Sequence, residues 1–219
     1  MPRLLFEKTG NAIWISHLDL MRLFQRAFKR AGMPLTHTQG YNPRPSVSIA
    51  LPLSVGVTSH CELLDFELES TDASADTITK QLNAALIDGV NVLQVYTDGR
   101  KIRDLSLLRS VITLEYDRGV PDKAVGTLQA LFHSKTLIVP KKSKNGLQDQ
   151  DIIPMIKELE IRQESVNTII IDLLACCQNP TLNPMQLVAA IHLHAEQFAP
   201  DFAKCSRIEI YDAQKIVFR

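Results

Sequence analysis

Apolar and polar positions recur along this chain with two periods, and together they predict its elements. Residues 3–7 form a short apolar run of strand type. From Ser16 the spacing turns helical, with apolar positions at Leu20, Met21, Phe24, Phe28 and Ala31. Ser16 suits the N-cap, Asp19 the positive end of the helix dipole, and Gly32 the stop, with Pro34 just beyond. Residues 47–53 and 61–69 read as strands, 76–86 as a helix ending near Gly89, and 90–96 as a strand. The predicted order is strand, helix, strand, strand, helix, strand.

The second half gives the same order. Residues 110–116 read as a strand. Residues 121–132 read as a helix with Pro121 in its first turn, where a missing N–H is harmless. Residues 136–140 read as a strand that resumes at 158–163 after a polar insertion. Residues 168–176 are strongly β-forming, 183–197 helical with Asn183 as cap and Pro184 in the first turn, and 207–211 a last strand. The tail 216–219 is expected to extend a strand. The expected fold class is α+β, with two tandem ferredoxin-like βαββαβ units, each an antiparallel sheet with helices on one face. The expected domains are 1–99 and 105–219, joined through a linker at 97–106. The likeness between halves is one of order, not of sequence.

Composition narrows the class. Hydrophobic residues make up 45% and charged residues 22% of 219 positions, values ordinary for a soluble globular protein. The opening residues lack the build of a signal peptide, and no apolar run approaches the roughly 18 residues of a membrane helix. The expected location is therefore cytoplasmic, with no membrane partner. The four cysteines show no C-x-x-C spacing, so neither a disulfide framework nor a zinc site is expected; they read as buried apolar groups. No cofactor or metal is implied.

The net charge is zero but unevenly distributed. Residues 1–45 carry seven Lys/Arg against two Asp/Glu, and residues 60–99 carry one against eight. That excludes a uniformly basic nucleic-acid binder and leaves open a single basic face.

The first helix supplies that face. Arg22, Arg26 and Arg30 are four apart with Lys29 beside them, opposite Met21, Phe24 and Phe28, and no carboxylate stands at i+4. Like charges at that spacing repel by a few tenths of a kcal/mol, and bidentate contact with phosphate removes the repulsion. A solvated face, or ion pairs with the acidic block at 60–99, explains the stripe equally well. The loop Gln39-Gly40-Tyr41-Asn42-Pro43-Arg44-Pro45 adds a ring, an amide and a guanidinium, a set suited to reading single-stranded RNA. Its plainer role is a helix-to-strand turn. Lys141, Lys142 and Lys144 occupy a polar segment, 141–150, that reads as a mobile loop or hairpin tip.

Evidence for a reaction is thin. His17 opens the helix, and His37 and His60 are within its reach if the fold cooperates; a first-turn hydrogen-bonding role is the simpler account. Glu62 and Asp65 fall on opposite faces of a strand, so they form no acid–base couple. No P-loop, dinucleotide glycine fingerprint or zinc-protease motif occurs.

The runs ISHLDLMR (15–22), Arg26-Ala27, Arg30-Ala31, GYNP (40–43) and PLSVG (52–56) resemble the radical-SAM-linked protein family of uncharacterised function. The resemblance covers roughly residues 3–70 strongly and weakens beyond. That domain occurs alone or behind a cobalamin-type radical SAM enzyme. This sequence has no C-x-x-x-C-x-x-C cluster motif, so the resemblance implies the companion domain only. Two arginines of the family pattern are missing, at Asp151-Ile152-Ile153-Pro154 and Thr181-Leu182-Asn183-Pro184. At the level of fold, tandem ferredoxin-like units also resemble RNA-processing endonucleases and RNA-modifying enzymes.

The expected function is an RNA-binding accessory module, itself non-catalytic, acting with a radical SAM-type partner on tRNA or rRNA. Its expected contacts are Arg22, Arg26, Lys29, Arg30, Tyr41, Asn42 and Arg44. The rivals are a metal-independent RNA enzyme using His17 and a protein-interaction scaffold.

Overall fold

The computed structural model describes residues 1–70, 73–143 and 146–219, with residues 142 and 143 described by backbone alone. It is a mixed α+β structure that divides into two compact units, Met1–Asp104 with Val217–Arg219, and Leu105–Ile216.

In the first unit, β1 (Arg3–Lys8) is followed by α1 (His17–Arg30), β2 (Val47–Ile49), β3 (Val57–Phe66), α2 (Ala75–Ala85) and β4 (Val90–Tyr96). The strands are antiparallel in the order β4-β1-β3-β2. Leu4 and Phe6 of β1 pair with Leu64 and Glu62 of β3, so these side chains share one sheet face. That face carries α1, since Phe6 stacks edge-on against Phe24 at 4.7 Å and Phe66 lies 5.0 Å from Phe28.

The opposite face is polar at its rim. Arg3 donates to both oxygens of Asp65, at 2.6 and 3.0 Å, and its guanidinium lies 5.4 Å from the Phe218 ring. Among the described residues the Nη1 of Arg3 has no hydrogen-bond acceptor, and the guanidinium lies over the Phe218 ring instead. The tail 216–219 forms no strand of its own, but Val217 makes a single bridge and the Arg219 carbonyl accepts from Arg100 N–H at 3.1 Å. The chain turns at Lys215 (φ +61°) and buries Phe218 beneath Arg3 and Arg100.

The second strand of this unit is shorter than expected, ending at Ile49 rather than residue 53. Pro52 has no N–H to give a ladder, so residues 51–53 leave the sheet while Leu51 and Leu53 stay buried. Close packing also fixes Gly89. Its φ is +82°, and an added Cβ would sit 2.5 Å from the Thr9 carbonyl oxygen and 3.0 Å from Ala12 Cβ. Gly89→Ala is expected to destabilise the unit by about 2–4 kcal/mol, combining overpacking with a left-handed φ; a chemical denaturation midpoint within error of the parent's contradicts this.

The second unit runs β5 (Leu105–Glu115), α3 (Ala124–Phe132), β6 (Ile138–Ser143), β7 (Gly146–Asp151), β8 (Ile156–Ser165), β9 (Thr168–Cys176), α4 (Met185–His194) and β10 (Phe202–Asp212). Its sheet order is β10-β5-β9-β8, all antiparallel. The expected split strand is corrected here. Residues 138–143 pair with 146–151 in a separate two-stranded sheet, and β8 alone fills the place beside β9. Leu137 and Val139 are buried and His194 Nε2–H donates to the Ile138 carbonyl at 2.8 Å, which holds this hairpin against α4. α3 starts three residues late because Lys123 takes a left-handed φ of +66°.

Cys177 and Cys205 are buried, and burial pushes their thiols up to about 12 and about 11. Neither forms appreciable thiolate near neutral pH. In native protein both are expected to resist a water-soluble thiol reagent and to react on unfolding, while half-buried Cys176 reacts first. Rapid native labelling of Cys177 would contradict that assignment.

Candidate nucleic-acid interface

The α1 helix is built to face two ways. Ser16 caps it, its Oγ accepting from the Asp19 N–H at 3.2 Å and donating to Asp19 Oδ2 at 2.7 Å. At the other end Gly32 takes φ +69°, its N–H reaching the Lys29 carbonyl while Met33 N–H reaches that of Phe28, a left-handed stop sealed by buried Met33. Leu20, Phe24, Ala27 and Phe28 are buried. Arg22, Arg26, Lys29 and Arg30 are all exposed on the outward side, where helical spacing puts them.

Their partners divide the stripe. Arg22 forms an ion pair with Asp19 at 2.9 Å, and hydrogen bonds from Ser16 and then Arg22 hold the Asp19 carboxyl below its usual range. Arg30 donates to the carbonyl of Ala85, the last residue of α2, where the helix dipole favours a cation. The expectation of an unpaired ladder is thus corrected. The neutralising carboxylate stands three residues before Arg22 rather than four after it, and Arg30 caps a neighbouring helix. Arg26 and Lys29 have neither a hydrogen bond nor an ion pair among the described residues.

Among the described residues the acidic block at 60–99 forms no ion pair with the stripe, although Glu69 lines the groove that Lys29 borders. Asp65 is taken by Arg3 on the far sheet face. Glu62 is buried on the helix-facing side, where Ser59 Oγ donates to it at 2.7 Å. Among the described residues, Asp19 is the one carboxylate paired with a cation of α1.

Residues 36–46 double back as a narrow loop. Thr38 N–H donates to the Arg44 carbonyl at 2.8 Å, Arg44 N–H to Thr38 Oγ1 at 3.1 Å, and Ser46 N–H to the Thr36 carbonyl at 2.8 Å. Gly40 at φ +140° closes the tip. Tyr41 is 100% exposed, and Asn42 and Arg44 are exposed beside it. The loop base meets α1 in a groove of about 310 Å³ whose lining includes Gln25, Lys29, Leu35, His37, Pro45 and the carboxylate Glu69. Lys29 and the loop legs therefore border one concave surface.

The histidines do not gather. His17 Nδ1 is buried without a partner at the start of α1. His60 Nδ1 lies 3.2 Å from Glu7 Oε2, on the sheet face opposite α1. His37 borders the groove near Lys29, about 18 Å along the helix from His17 at 1.5 Å per residue. Lys141 donates to the Thr181 carbonyl at 3.3 Å, whereas Lys144 and the Lys142 side chain lie outside the described residues. No group of three His, Cys, Asp or Glu among the described residues is placed to hold a metal ion. No helix among them is long and apolar enough to cross a membrane.

Sequence reasoning missed Trp14. It is 67% exposed, in the short turn before α1, with Leu18 equally exposed one turn on. Its ring edge lies against Gly56, where an added Cβ would sit 3.5 Å from Cζ3. A lone tryptophan beside a helix cap was the available signal.

A family model described as "Uncharacterized protein conserved in bacteria (DUF2344)" matches residues 2–184. No curated protein matches the chain. Among solved structures, one titled "Crystal Structure of a Cbf5-Nop10-Gar1 Complex" aligns over 95% of this chain at 9% identity, with a TM-score of 0.53. This chain spans 48% of that one, about half its length, and the likeness is one of fold alone. "Structure of H/ACA RNP bound to a substrate RNA containing 2'-deoxyuridine" aligns over 94% of this chain and 46% of the other at 8% identity, with a TM-score of 0.48, too low to argue from.

Proposed function

The chain belongs to that family of proteins conserved in bacteria, and from this premise we propose that it is a non-catalytic RNA-binding module. It positions a single-stranded stretch of tRNA or rRNA for a modifying partner of radical SAM type. We read both units as ferredoxin-like, since each places its four main strands in the same antiparallel order with helices inserted at the same points.

One observation carries the RNA reading: Lys29 lines a groove with His37 and Pro45 at the base of the loop whose exposed tip bears Tyr41, Asn42 and Arg44, and Arg26 stands exposed on the same helix. Guanidinium and ammonium groups hold phosphates, a fully exposed tyrosine offers a stacking face, and an asparagine amide meets a base edge. Tyr41, fully exposed, packs against nothing among the described residues. The radical SAM partner enters through the sequence resemblance alone, and the family match carries no such link.

A catalytic reading through His17 has less support. His17 opens α1 while the base of the Tyr41 loop meets the helix near Lys29, and His60 is on the other sheet face. Ultraviolet cross-linking of the protein in native cells, followed by peptide mass spectrometry, tests the proposal. The expected result is a nucleotide adduct on the peptide containing Tyr41. Partners retained after nuclease treatment, with no adduct anywhere on the first unit, would favour a scaffold instead.

A further inference from the structure

We infer that Trp14 is a second base-stacking platform, placed so that one single strand runs from it along α1 to the Tyr41 loop. This rests on the RNA-binding reading and extends it to an aromatic residue at the far end of the stripe.

Three observations meet at Trp14. The first is exposure: a tryptophan 67% open to solvent leaves a large apolar ring in water, which folding alone does not favour. The second is rigidity. The ring edge rests on Gly56, whose φ of +81° suits glycine, and Gly56 N–H donates to the Ile13 carbonyl at 2.8 Å. From beneath, buried Lys8 donates its Nζ proton to the Ile15 carbonyl at 2.9 Å, pinning the segment that carries the ring. A ring held this way loses little freedom on stacking.

The third is alignment with charge. Leu18, Arg22 and Arg26 are four apart, with Lys29 next, so the exposed apolar end continues directly into the cationic stripe. Asp19, the nearby anion, is already paired with Arg22. The helix from His17 to Lys29 covers about 18 Å, room for about five nucleotides at roughly 3.4 Å per nucleotide. Exposed aromatic rings combined with a cationic stripe are the features single-stranded nucleic acid uses without sequence preference.

Trp14 is the only tryptophan in the chain, so its fluorescence reports this position alone. Unlabelled single-stranded RNA of about 12 nucleotides is titrated into the full chain, alongside anisotropy with a labelled copy. The expected result is quenching of Trp14 that follows the anisotropy isotherm. Trp14→Ala should weaken binding about tenfold, and Trp14→Phe should recover most of it, with the salt dependence unchanged because stacking releases no counterions. Normal anisotropy with unquenched Trp14, or full affinity in Trp14→Ala, overturns this inference and leaves the RNA reading standing. No binding in either signal overturns both.

Discussion

Replacing Arg26, Lys29 and Arg44 together by glutamate is expected to weaken single-stranded RNA binding by about 10³-fold at low salt. Each of the three is exposed, and none has a side-chain hydrogen bond or ion pair among the described residues. No fold contact is lost in the variant. A charge-assisted hydrogen bond to phosphate contributes about 1.5 kcal/mol or more, and three such losses amount to about a thousandfold. The reversed charges add repulsion against the strand. Helix content and the thermal midpoint should stay near those of the parent, because surface substitutions of this kind shift stability by about 0.5 kcal/mol or less. Anisotropy and circular dichroism on the same preparation check both halves of the prediction. Affinity within threefold of the parent contradicts it.

The second large effect is on stability. Phe24→Ala should destabilise the first unit by about 3–5 kcal/mol. Phe24 is fully buried, and its ring meets Phe6 across the helix–sheet boundary at 4.7 Å. Removing it opens a cavity between α1 and β1 that Leu20 and Phe28, one turn either side, are already committed to filling from their own places. The thermal midpoint should fall by about 6–20 °C, taking 2–4 °C per kcal/mol for a chain of this size. A shift below 2 °C would mean that α1 is not anchored as described. Because α1 carries the stripe, this variant should also lose RNA affinity, so charge variants that spare the core are the cleaner functional probes.

Local periodicity accounts for what could be read from the sequence. The α1 boundaries follow from Ser16, the Leu20–Phe24–Phe28 spacing and Gly32, each a signal acting within one turn. The outward position of Arg22, Arg26, Lys29 and Arg30 follows from the same spacing. The fates of these cations were not visible in that pattern. Arg30 meets the end of α2, 55 residues away, and Asp65 is claimed by Arg3, 62 residues away. Pairings at that separation depend on strand register, which no window of the sequence contains. Arg22 was legible and misread: Asp19 reads first as a capping residue and turns out to serve both roles.

The second unit shows the same limit. The polar run after residue 140 gives no hydrophobic alternation, so it could be read as a loop or hairpin tip but not as a two-stranded sheet of its own, held by backbone pairing and by Leu137 and Val139 beneath it. Trp14 escaped notice because exposure of a single aromatic residue depends on what packs around it. Gly56, 42 residues on, lies against its ring edge, a contact no local window contains.

The most direct measurement is the salt dependence of single-stranded RNA binding for the parent, Arg26→Ala, Lys29→Ala and Arg44→Ala. A plot of log affinity against log salt concentration should be linear for the parent, with a slope of about −0.7 for each phosphate contact. Each single replacement should make that slope shallower by about 0.7. Parallel lines for all four proteins, or no low-salt binding by the parent, would contradict the account.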